Sequence, residues 1–131
     1  MCSFSNYLES NILNHIFGKS NYSATDVYVG LLHLEPNEDG TSVCEPVSSS
    51  YARVKTNVSS WDIAVEGLME NVGNITFPMA CEKWGLVTYF GLFDTQSGGN
   101  ILAYGRLSPS ITINSGDIPR FGPGDLIISL D

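Results

Sequence analysis

The chain has 131 residues, 43% of them hydrophobic and 15% charged. That suits one domain with a single core and argues against a disordered chain. Six Lys and Arg stand against 14 Asp and Glu, a net charge of −8, which repels phosphates and argues against a nucleic-acid partner. No stretch reaches the ~18 apolar residues of a membrane span, and "MCSFSNYLESNILNHIFG" lacks both the basic start and the unbroken apolar run of a secretory signal. No membrane partner is therefore expected, and assembly in a cytosol is.

The first segment, residues 1–20, reads as helical. Phe4, Tyr7, Leu8, Ile12, Ile16 and Phe17 recur at spacings of three and four and share a face. Asn6 with Glu9 fits a capping box, with Ser3 or Ser5 as alternative caps, and Gly18 fits a left-handed stop. A helix of about three turns is not stable alone in water. It must dock, either on its own domain or on a neighbouring subunit.

From residue 25 to residue 131 the pattern is that of strands. "VYVGLLHL" is β-branched and aromatic, and "EPNEDGTS" ends it with a Pro and an Asp-Gly turn. "YARVKTN" alternates, with Tyr51, Arg53 and Lys55 on one face and Ala52, Val54 and Thr56 on the other. "WDIAVEGLME" suggests a loop with one helical turn, and "NVGNITFP" a short strand. "WGLVTYFGLFD" is the strongest strand. Trp84, Leu86, Phe90 and Leu92 fall on one face, Val87, Tyr89 and Phe93 on the other, so it belongs mid-sheet with both faces covered. One face would meet a second sheet and the other the N-terminal helix. "NILAYGRLS" is its expected hairpin partner, and "SITIN", "RFGPG" and "DLIISLD" supply further short strands. About seven strands set apart by Gly, Pro, Asn and Asp predict a single-domain, mainly β protein, an antiparallel β-sandwich with one N-terminal amphipathic helix.

Catalytic patterns are weak. His33, Ser49 and Asp94, or Cys81 with His15, make a triad only on paper, because no nucleophile elbow accompanies them. No catalytic residue is assigned, and the protein is not expected to be an enzyme. Asp117 and Asp125, or Glu35, Glu38 and Asp39, offer oxygens to calcium. Their spacing fits no EF-hand, so they read as acidic turns, and neither metal nor cofactor is expected. Cys2, Cys44 and Cys81 read as small buried thiols. "FGLFDTQSGGNILAYG" reads as a hairpin whose reversal is set by Asp94, Gly98-Gly99 and Asn100.

Taken in order, "SNYLESNILNHIFG", "VYVGLLHLEPNEDGTSVCEP", "YAR", "NITFPMA", "WG", "GLFDTQSGGNILAYGRL", "INSGD" and "GDLIISLD" cover nearly the whole chain. This ordered set resembles a family of small virion structural proteins of tailed bacteriophages, often described as tail fibre-like. Two departures are the Leu-His after "YVGL", where Ser or Thr follows in the family pattern, and the Pro and Arg of "SGDIPRFGPGD". The resemblance implies a non-catalytic virion component. A chain this short that starts at Met1 suggests a capsid cement or decoration protein, trimeric and clamping the major capsid protein or other virion proteins. The alternative is a tail fibre or tail-tip module that binds the host surface. The candidate contact residues are Phe4, Leu8, Ile12 and Ile16 on the helical segment, Glu35 and Asp39 on the acidic loop, and Asp94 and Asn100 at the hairpin tip.

Overall fold

The computed structural model describes residues 2–130. In chain order the described residues form β1 (Cys2–Phe4), α1 (Asn6–Ile16), β2 (Tyr28–Leu32), β3 (Val54–Lys55), β4 (Leu68–Glu70), β5 (Ile75–Thr76), β6 (Gly85–Phe93), β7 (Ile101–Ile113), β8 (Arg120–Phe121) and β9 (Ile127–Ser129). The protein is mainly β, its strands pair antiparallel, and its helix lies near the N-terminus, as the sequence predicts. No helix among the described residues is long and apolar enough to cross a membrane.

The β6–β7 hairpin is the spine of a five-stranded sheet in the order β1-β7-β6-β2-β3. Two ribbons, β4–β9 and β5–β8, form the opposing layer, so the second layer of the sandwich is two short pieces and not one continuous sheet. Between the layers lies the main core, which includes Val29, Leu31, Phe77, Val87, Phe90 and Leu126. Phe77 meets Phe121 edge-on, and Tyr51 meets Trp84 in the same way. Leu32, Phe93, Ile101 and Tyr104 form a smaller cluster. Val43, from the loop after β2, covers that cluster, where the sequence reading placed the helix.

The alternation along β6 departs from the expected parity. Val87 shares the main core with Phe90 and Leu92, while Tyr89 and Phe93 belong to the smaller cluster. The cause is a register irregularity between Val87 and Tyr89, where β7 carries extra residues, and crossing it moves side chains to the opposite face. Leu86, expected in the core, is consequently exposed. "NILAYGRLS" and "SITIN", read as separate strands, are one continuous β7 of 13 residues.

Other local differences have equally local reasons. Residues 2–4 are extended and pair with Ala103–Gly105 of β7, so Phe4 belongs to a strand and not to the helix face. Ser5 is the helix cap, its side chain accepting from the Leu8 N–H. Gly18 has the left-handed φ of +74° that the stop requires. The helical turn expected within "WDIAVEGLME" lies earlier, as a 3-10 turn at Val58–Ser60 capped by Asn57. The later residues form bridges and β4. Only Val54–Lys55 of "YARVKTN" is strand, because Arg53 leaves the sheet pattern to fill a buried polar cluster. Cys81 is exposed, unlike the small buried thiol expected, while Cys2 and Cys44 are half-buried and Cys2 packs against the main core.

Candidate interaction surface

The structure gathers the acidic loop, the hairpin tip and the start of α1 at one end of the sheet. Gly40 approaches Ile101, the first residue of β7. The Asn6 N–H donates to the Glu38 carbonyl (2.8 Å), and the Ser5 N–H to the Leu102 carbonyl (2.9 Å). These backbone bonds seat the helix start between the loop and the edge of β7.

A buried clasp joins the loop to the tip. The Arg53 Nε donates to Glu45 Oε2 at 3.0 Å and its Nη2 to Oε1 at 2.7 Å. Its Nη1 donates to the carbonyls of Thr95 and Gly98, both at 2.9 Å. The guanidinium lies 3.6 Å from the centroid of the Phe93 ring, adding a cation–π contact. The Tyr51 hydroxyl donates to the same Glu45 carboxylate. Burial first, and the Glu45 charge second, push the Tyr51 phenol far above its ordinary range. The Gln96 side chain returns a bond to the Arg53 carbonyl at 2.6 Å. One arginine thereby organises both loops named as contact regions from the sequence. The sequence reading placed Arg53 on a strand face with Tyr51 and Lys55, and nothing local marks it as a clasp. Its partners lie up to 45 positions away along the chain.

Each residue nominated from the sequence has a definite place. Asp94 closes the tip. Its Oδ1 accepts from the Asn100 N–H (2.8 Å) and its Oδ2 from the Asn100 side chain (3.0 Å). Gly98 and Gly99 between them hold positive φ. Glu35 is exposed and accepts from the Tyr89 hydroxyl (2.6 Å). Asp39 is exposed and accepts from the Thr41 hydroxyl and N–H, bonds that hold its carboxyl below the usual range. Phe4 and Leu8 pack on the main core from the side, and Ile12 is half-buried. Ile16 is 68% exposed. The helix thus docks its first half on its own domain and leaves Leu13, Ile16 and Phe17 in solvent. Under it runs an apolar groove of ≈ 270 Å³, lined by Phe4, Leu8, Leu92, Ala103 and Ile128 among others.

Four of the residues considered for chemistry are engaged in hydrogen bonds within the domain. The His33 Nδ1 lies 2.7 Å from the Leu86 carbonyl, and the His15 Nδ1 accepts from the Tyr22 N–H. Asp117 and Asp125 close separate turns by accepting from the N–H groups of Asn114 and Gly122.

Sequence reasoning missed one surface. On the β4–β9 ribbon Met69 and Ile128 pair inward, while Leu68 and Ile127 stand outward and exposed. Ile63 and Val65 flank them at 82% and 65% exposure. The signal was present in "DLIISL", where consecutive apolar residues imply two covered faces, the argument already made for β6.

No curated protein matches the chain. A family model described as Podophage GP4 fiber I protein gp80 matches residues 3–129. The chain belongs to that family of phage fibre-like structural proteins.

Proposed function

We propose that the protein is a tail-fibre component of a podophage particle, acting through contacts with other virion proteins and with the host surface and without catalysis. The observation that carries this reading is the family match, which spans nearly the whole chain and names a fibre protein. The same match implies a virion component. It favours the fibre alternative over the head-cement role expected from chain length, for which no residue or surface argues separately.

The arrangement of the loop end supports a binding role. Arg53 rigidifies the acidic loop and the hairpin tip together, so a partner meets a surface already ordered, at small entropic cost. Glu35, Asp39 and Asn100 stand exposed on it. The acid and amide groups of the tip bond to one another, a structural use of Asp94.

Heads and tails separated from purified particles provide the test, by mass spectrometry or immunogold labelling. The protein is expected with the tails, and its confinement to heads would refute the proposal. Adsorption of the purified protein to host cells, weakened by changes at Glu35 or Asp39, would support the host-surface contact.

A further inference from the structure

Two exposed apolar surfaces on this chain are complementary. The first is the outer face of the β4–β9 ribbon with the segment before it. Ile63, Val65, Leu68 and Ile127 surround a depression of ≈ 290 Å³ whose rim carries Asp62, Glu66 and Glu70. A strand pair with apolar side chains on both faces is built to be covered on both. The inner face is covered by the core. The outer face is bare.

The second is the distal end of α1. Leu13, Ile16 and Phe17 are 56%, 68% and 71% exposed, and their spacing of three and four places them on one stripe. Lys19 follows, one residue beyond Gly18. Among the described residues Arg53 and Lys55 have carboxylate partners, and Lys19 forms no ion pair. The helix end is therefore an apolar ridge with a free cation beside it. The ribbon is an apolar depression with an acidic rim.

We infer that the occupant of the ribbon depression is a second copy of this chain, which inserts the Leu13–Ile16–Phe17 ridge of its helix and sets Lys19 against the acidic rim. Pairing ribbon to ribbon is disfavoured, since it would bring three carboxylates against three more. The contact therefore joins different surfaces of the two copies: made reciprocally it closes a two-fold dimer, and made once per copy it closes a ring or runs on as a filament. This deepens the structural reading above by naming one partner. It rests on that reading only for its biological setting.

Sedimentation and light scattering on the purified full chain, with Cys81→Ser to silence the exposed thiol, test the inference. The parent should form a defined oligomer at micromolar concentration. Ile16→Asp and Leu68→Asp, both at exposed positions, should each weaken association at least tenfold while melting within a few degrees of the parent. Ile16→Ser and Leu68→Ser should do so more mildly, and they stand in if an Asp variant does not fold. Lys19→Glu should weaken association, and Glu66→Lys added to it should restore it. The decisive arm mixes the Ile16 and Leu68 variants. One retains an intact ribbon and the other an intact helix, so a helix-to-ribbon contact gives a one-to-one dimer. A parent that is monomeric at 100-fold higher concentration would overturn the inference, as would variants that do not complement or a depression filled only by another virion protein. None of these results bears on whether the protein fractionates with tails.

Discussion

Replacing Arg53 by Met removes the clasp while keeping much of the side-chain volume. The substitution deletes two charge-assisted bonds to Glu45 and two bonds to the carbonyls of Thr95 and Gly98. Taking one partner from a sealed ion pair costs about 3–5 kcal/mol, because the other charge is left buried. The Arg53 side chain is 5% exposed but that of Glu45 is 20% exposed, so water partly rehydrates the orphan, and the expected loss falls to about 2–4 kcal/mol. Total stabilities run to about 5–15 kcal/mol, so the fold should survive with a melting temperature lower by roughly 10 °C. Urea titration measures the loss. Hydrogen exchange locates it, with faster exchange expected at the hairpin tip and in the loop carrying Glu45. The double variant Arg53→Met/Glu45→Gln should cost less than the sum of the single variants by about 1–2 kcal/mol. A loss below about 0.5 kcal/mol, or an additive double variant, would show that the clasp does not couple the two loops.

Five further outcomes are expected. Gly30→Ala would place a Cβ 2.8 Å from Phe93 Cε1 and 2.9 Å from the Tyr51 hydroxyl, so it should destabilise by about 1–3 kcal/mol through overpacking, read by chemical denaturation. Asp94→Ala removes both bonds to Asn100 and should cost about 1–2 kcal/mol. Asp94→Asn and His33→Ala should leave particle assembly and adsorption unchanged if no catalysis is involved, as a complementation assay would record. The Tyr51 phenol is raised in the folded state, so its stabilisation is complete below the ordinary value of about 10 and is lost as pH climbs above it. Stability should therefore fall from about pH 10 upward, and Tyr51→Phe should flatten that decline at the expense of two hydrogen bonds at neutral pH, one to Glu45 and one from the Leu31 N–H. Along α1, Leu8→Asp should destabilise the monomer by about 2–3 kcal/mol, because it sets a charge against the core, whereas Ile16→Asp should stay within about 0.5 kcal/mol. Equal losses at the two positions would show that the whole helix is docked.

The sequence by itself determined the local features. Apolar spacing marked α1, Gly18 marked its end, and Asp94 with Gly98-Gly99 marked the β6–β7 reversal. All of these are decided by residues within a few positions of one another, where steric and hydrogen-bond preferences act directly. The ordered motifs also carried the family, because they follow chain order and not contacts. Only the tertiary structure decided what depends on register and on distant partners. The irregularity near Thr88 moved Val87 into the main core and Leu86 into solvent, since one shift of parity turns every later side chain. Arg53 looked like a strand residue until Glu45, Thr95 and Gly98 were brought around it. The helix face was visible as a stripe, but how far along it the domain would cover was set by the position of β7. Leu8 consequently rests on the core, and Ile16 and Phe17 are left for a partner.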